Sequence, residues 1–229
     1  MVLVLASRLD RTAASWVARY ARSDAALMTC DDLCSPGWIF DPARVQEGTA
    51  MVGGRPVPVD GLRGVLTLLP AVTEIELPRI VEAERAYVAS EIQAFLVAWL
   101  SALQCPVINR PTPTCLTGPG WARERWLQAA AAAGFDTAHW SRSSEQAALS
   151  RDEESADVRA TVVGRICIGL PGGPAERALE LARQTRTEIL TLSLRELPDG
   201  MQFRAAWPWC DLEDETIGAT VATRLGLAT

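Results

Sequence analysis

With 229 residues, 48% of them hydrophobic, the chain is long enough to bury one large core or two small ones. Its net charge is −6 and its pI about 5.0, and basic residues nowhere cluster, which excludes nucleic acid and anionic membrane as partners. All 22 basic side chains are arginine; lysine is absent.

In chain order, Val2–Leu5 is a short apolar run that predicts a buried strand. Asp10 is placed to cap a helix carrying Ala13, Trp16, Val17 and Tyr20 at helical spacing. A second strand is predicted over Ala25–Thr29, and the strand–helix–strand order implies a parallel sheet with right-handed crossovers. Ala50–Val59 predicts a hairpin about Gly53-Gly54, and Gly64–Leu69 a further buried strand. From Pro78 to Gln104, Val88, Ile92, Phe95, Leu96, Trp99 and Leu103 recur every three or four residues, giving a long helix with an apolar stripe. That stripe either faces the core or also packs across a dimer axis.

Val107–Asn109 reads as another strand, Pro111–Thr114 as a rigid loop, and Ala122–Ala133 as a helix stopped by Gly134. The polar run from Ser141 to Ala156 marks a linker between a domain over residues 1–140 and a smaller module over 157–229. In the module, strands are predicted over Val158–Val163 and Arg165–Ile168, then a turn at Pro171-Gly172-Gly173-Pro174 and a helix over Ala175–Gln184. Strands Glu188–Leu194 and Met201–Ala206 flank the turn Pro198-Asp199-Gly200, and a helix closes the chain over Leu212–Leu225. The fold class expected is therefore α/β, a parallel-sheet domain followed by a small α+β module.

Motifs with direct chemistry are few. Cys30 and Cys34 lack the second ligand pair of a zinc site, and His139 is the one histidine, so no metal centre and no imidazole acid–base chemistry are expected. A thiol paired with His139 stays open as an alternative. Pro171–Pro174 carries neither glycine pattern of a phosphate loop, and its prolines remove donors. The carboxylates Asp31, Asp32 and Asp41, and those at Asp211, Glu213, Asp214 and Glu215, read as helix caps and solvated acids. Trp207-Pro208-Trp209 is either core or an exposed contact for a partner. The N-terminus is too short and too soon polar for a signal peptide, and no stretch is long enough to span a bilayer, which predicts a cytoplasmic protein.

Taken together, Asp31-Asp32-Leu33 with Pro36-Gly37-Trp38, the long helix before Pro106-Val107-Ile108-Asn109-Arg110-Pro111, Asp157–Gly164 and Phe203–Pro208 resemble ATP-grasp peptide or amide ligases of the ribosomal-protein-glutamate-ligase type. The resemblance covers both ends of the chain. It implies a pre-ATP-grasp domain followed by a shortened ATP-grasp module, with Arg159 facing phosphate or substrate. It also implies that the family's magnesium-holding Asp, Glu and Asn fall here on Ser193, Ala205 and Trp207, which are poor ligands for a cation that wants oxygens. The ATP-contacting lysines have no counterpart, and the stretch from Phe135 to Ala156 is short where the family has a subdomain covering the nucleotide. The expectation is a pseudoenzyme with no catalytic residue and no cofactor, partnering an active ligase or another pathway enzyme, or itself. Asn109, Arg110, Arg159, Trp207 and Trp209 are the candidate substrate or partner contacts. The alternatives are a small-molecule or peptide binding module, and an enzyme using cysteine or carboxylate chemistry without ATP.

Overall fold

The structure, a computed structural model, describes residues 1–20, 22, 24–137, 157–198 and 200–227. The polar run over 141–156, His139 and Asp199 lie outside them. By contacts the chain divides into two units, Met1–Gly120 with Pro208–Thr229, and Trp121–Trp207. These bounds differ from those expected from the sequence, because the closing helix makes its contacts with the first unit and not with the C-terminal module.

In the first unit, β1 (Val2–Leu5), β2 (Ala25–Met28), β5 (Gly64–Thr67) and β6 (Val107–Ile108) form an all-parallel sheet of order β2-β1-β5-β6. A parallel sheet is covered on both faces, so its strands are apolar throughout, and β1 and β5 are buried at every residue. Leu3, Leu5 and Val65 share a core with Leu96, Trp99 and Leu100 of α3 (Glu82–Ala102). Trp38 and Phe40 close that core edge-on, with ring centroids 5.2 Å from Trp38 to Phe95 and 5.7 Å from Phe40 to Phe95.

The remaining first-unit helices are α1 (Arg11–Tyr20), the single turn α2 (Cys30–Leu33) and α6 (Glu215–Arg224). Trp16 of α1 donates its indole N–H to Gly218 O of α6 at 3.1 Å, across 202 residues of sequence. Asp10 caps α1 through Ala13 N, and Asp214 caps α6 through Thr216 N and Ile217 N. The hairpin of β3 (Thr49–Val52) and β4 (Arg55–Pro58) turns at Gly53-Gly54, both left-handed as such a turn requires. Buried Asp32 holds that turn, accepting from Gly54 N and Thr29 N, both at 3.0 Å.

The second unit has a five-stranded mixed sheet of order β7-β11-β10-β8-β9, from β7 (Asp136–Thr137), β8 (Asp157–Val163), β9 (Ile166–Ile168), β10 (Ile189–Leu197) and β11 (Gly200–Trp207). Helices α4 (Arg123–Ala132) and α5 (Gly172–Thr185) cover one face, with Trp126, Leu127, Leu181, Leu192 and Phe203 in the core. Pro171–Pro174 departs from its expected turn. Gly172, Gly173 and Pro174 already belong to the first turn of α5, where a helix tolerates a residue lacking N–H. The observed class is α/β with a parallel sheet and a separate mixed sheet.

Two substitutions test this packing. Trp16→Phe leaves Gly218 O without its buried donor and should cost about 1–3 kcal/mol in urea unfolding. Phe203→Ala, at a fully buried position, should cost about 3–5 kcal/mol.

Candidate functional site

Strand register brings four of the sequence-derived residues onto one sheet face. Ser193 of β10 lies directly between Arg159 of β8 and Ala205 of β11, and Thr191, two residues back, lies between Thr161 and Trp207. The pairing slips by one residue between Ser193 and Leu194, so Arg204 is a bulge residue. Because of that slip, Phe203 and Ala206 both point into the core with Leu192 and Leu194, whereas Ala205 and Trp207 point the other way. Thr161, Thr191 and Ser193 are buried on this second face, and the Thr161 and Thr191 hydroxyls lie 3.0 Å apart. Arg159 is exposed, Ala205 is half-buried, and Trp207 is 48% exposed. Gly169 (φ +94°) backs onto Arg159, where any Cβ would fall 2.6 Å from Arg159 O.

The other three candidates belong to the first unit. Asn109 follows β6 and is 3% exposed. Thr67 Oγ1 donates toward Ile108 O and Asn109 O at 3.1 and 3.0 Å, and Gly118 lies so close that a Cβ there would sit 3.2 Å from Asn109 Cβ. Arg110 is a helix cap: its guanidinium donates to Leu100 O, Ser101 O, Leu103 O and Cys105 O at 3.2–3.4 Å, taking up carbonyls that the end of α3 leaves open. Trp209 is 42% exposed and borders a cavity of about 170 Å³ with Asp10, Thr12, Leu68, Leu212 and Glu213.

The acidic residues are engaged structurally. Asp211 accepts from Glu213 N at 2.9 Å, Glu213 from the Thr12 hydroxyl at 2.8 Å, and Asp41 from Ala43 N and Arg44. Asp31 lies 3.8 Å from Arg79. One buried carboxylate escaped sequence reading: Glu76, 4% exposed, accepts from the Ser7 hydroxyl at 2.6 Å and from Arg8 N at 3.2 Å. Its partners lie 68 and 69 residues away, and an acid in a short polar turn gives no signal of such a contact. Among the described residues no three His, Cys, Asp or Glu side chains converge as a metal site.

All six cysteines are free thiols. Burial pushes Cys30 and Cys210 up to about 12, helped at Cys30 by nearby Glu76 and at Cys210 by Asp211, and burial also raises Cys34, Cys105 and Cys167. Protonated thiols are poor nucleophiles.

No family model matches the sequence, and no curated protein does. Solved structures do match, along nearly the whole chain. The macrocyclase MdnC from Microcystis aeruginosa MRC, bound with precursor peptide MdnA, superposes with a TM-score of 0.72 at 12% identity, covering 100% of this chain and 99% of that one. A RiPP-associated ATP-grasp ligase from Chryseobacterium gregarium, in complex with ADP and a leader and core peptide, gives 0.71 at 12% identity over 98% and 96%. The ATP-grasp ligase PsnB, complexed with minimal precursor, Mg and ADP, gives 0.66 at 10% identity over 98% of each chain. The chain has the ATP-grasp ligase fold. The ATP-grasp resemblance read from the order and spacing of the sequence segments thus agrees with the three-dimensional comparison. Within this ATP-grasp fold, Ser193, Ala205 and Trp207 occupy two adjacent cross-strand rows.

Arg110→Ala should lower stability by about 1–2 kcal/mol, a modest loss because water can replace the guanidinium at the exposed part of the cap. Iodoacetamide should label Cys30, Cys105, Cys167 and Cys210 more slowly than free cysteine at neutral pH. Since Cys30 and Cys210 are raised from 9.0 to about 12, their protonated forms favour the folded state below pH 9, and that contribution should fade as pH climbs from 9 toward 12. Urea midpoints measured across that window check it.

Proposed function

We propose that this chain is a non-catalytic ATP-grasp-fold protein of the cytoplasm. It serves as a partner or scaffold subunit for an active ligase, or for another enzyme of a peptide-modification or natural-product pathway. The observation that carries the reading is the composition of the Arg159–Ser193–Ala205 and Thr161–Thr191–Trp207 rows. Magnesium demands oxygen ligands in near-octahedral geometry. Ala205 supplies no ligand atom, the Trp207 indole is a donor only, and Ser193 supplies a neutral hydroxyl. Phosphoryl transfer is largely charge neutralisation by metal and cationic side chains. In these rows Arg159 is the one cation, and the chain has no lysine to join it.

The peptide side of the reading draws on the fold neighbours. MdnC is bound with its precursor peptide, and the Chryseobacterium ligase with a leader and core peptide. A chain that keeps this fold without metal ligands retains surfaces, and Trp207 and Trp209, both substantially exposed, have the amphipathic aromatic character that interfaces favour. Among the described residues no helix is long and apolar enough to cross a membrane.

Calorimetric titration with Mg·ATP and Mg·ADP should give no binding heat, and neither nucleotide should shift the melting temperature. A submillimolar Kd for Mg·ATP would sink the non-catalytic reading. Co-expression with a ligase encoded beside it should yield a co-purifying complex that Trp207→Ala and Trp209→Ala weaken at least tenfold, about 1.4 kcal/mol. Failure of the wild-type protein to bind any such ligase counts against the partner reading.

A further inference from the structure

Beside the carboxyl ends of β1 and β5 lies a cavity of about 170 Å³ whose lining belongs wholly to the first unit. β1 pairs with β2 on one side and with β5 on the other, so the chain leaves β1 toward both edges of the sheet. Ligands of open parallel sheets bind at such a switch point, outside the carboxyl ends of the strands. Asp10, after β1, and Leu68, after β5, line the cavity from the sheet, and Trp209, Cys210, Asp211 and Glu213 line it from the segment that begins at Pro208. At about 30 Å³ per water the space equals roughly six waters, enough for a small head group on a short stem and too little for a nucleotide.

The wall holds a buried side chain with no partner. Cys210 is 1% exposed, and its thiol makes no hydrogen bond among the described residues. Cys115, buried at 8%, instead pairs its Sγ with the Thr117 hydroxyl at 3.3 Å. A protonated thiol still offers its sulfur as a weak acceptor. Asp211 pushes that thiol up, so its negative field reaches the cavity wall. The three carboxylates are each half used. Asp10 Oδ1 accepts from Ala13 N, Asp211 Oδ1 from Glu213 N, and Glu213 Oε1 from the Thr12 hydroxyl. Their other oxygens accept nothing among the described residues, where no arginine lines the cavity. The N-terminus of α1 offsets only about +0.5 of the three negative charges. Trp209, 42% exposed, adds an aromatic face.

Acceptor atoms, excess negative charge and an indole in so small a space select a planar cation rich in donors. We propose that this cavity binds a guanidinium group, either of a free small molecule or of an arginine side chain on a peptide. Guanidinium pairs with carboxylates through its fixed fork of N–H donors and stacks on aromatic faces, and it is weakly hydrated, so entering a half-enclosed site costs it less than it costs an ammonium. The site stands apart from the Arg159–Ser193–Ala205 row and does not depend on whether the chain is catalytic.

The indole N–H signal of Trp209, identified as the one missing from Trp209→Phe, reports on the cavity in proton–nitrogen correlation spectra of the full chain. Methylguanidinium chloride should shift it saturably, with a Kd on the order of 1 mM for so small a ligand. Methylurea, its neutral counterpart, and sodium chloride at equal ionic strength should not. The combined Asp211→Asn and Glu213→Gln exchange keeps an acceptor oxygen for Glu213 N and for Thr12, removes two charges, and should raise the Kd at least tenfold. A capped Gly-Arg-Gly peptide that binds at least tenfold more tightly than methylguanidinium assigns the site to a partner's arginine; weaker binding assigns it to a free molecule. No saturable shift with either ligand overturns the proposal, and so does an equal response to methylurea, which decides the matter if the double variant fails to fold. An unchanged Kd in the folded double variant overturns it too. No ligase is present in these measurements, so their failure is distinct from failure of the partner reading.

Discussion

Between Ser193 and Leu194 the ladder of β10 and β11 takes in one extra residue, Arg204, and that insertion sets what both faces of the second unit can be. Strand side chains alternate strictly, so without a bulge Phe203 and Ala205 would share a face. With it, Phe203 fills the core beneath α4 and α5 while Ala205 joins Ser193 and Arg159. The apolar requirement of the core thereby dictates the opposite face. Phe203 must be buried, and once it is, residues 205 and 207 are committed to the polar rows.

The first unit depends on a contact that closes late in the sequence. Trp16 needs a buried acceptor for its indole N–H, and Gly218 O provides it from α6. Gly218 is itself tightly placed, since a Cβ there would lie 3.2 Å from the Trp16 indole nitrogen and 3.1 Å from Leu212 O. The segment from Pro208 onward therefore completes a sheet domain begun at Met1, and Pro208 packs within van der Waals reach of Gly118, beside Asn109. Trp207 ends one unit and Pro208 enters the other. The tryptophans on either side of that proline, adjacent in sequence, thus belong to different sites.

Elements driven by burial were legible in the sequence. Val2–Leu5 and Gly64–Thr67 are apolar at nearly every position because both faces of a parallel sheet are covered, and α3 carries a helical repeat of large side chains. Elements defined by partners far along the chain were not. The two-residue strand Asp136–Thr137 exists by pairing with Gln202 and Phe203, and the turn Glu74–Glu76 by what Glu76 accepts from Ser7 and Arg8. For the candidate site, residue identities were readable but their company was not. Sequence alone grouped Asn109 with Arg110 as possible contacts, yet one lies packed under Gly118 and the other caps a helix. The bulge at Arg204 had no local signature, since neither a glycine nor a proline marks it.

The Ser193–Ala205 row is uncharged on both β10 and β11, and that sets the charge balance of this face. Two or three carboxylates held on adjacent strands repel one another and need a cation to neutralise them. Here Ser193, Thr191 and Thr161 are buried and uncharged, and the two threonine hydroxyls share one hydrogen bond at 3.0 Å. The rows therefore need no metal to hold their charge balance. A single carboxylate introduced at Ala205 would meet Ser193 on the next strand and the Arg159 guanidinium beyond it, and pairing with that arginine competes with magnesium.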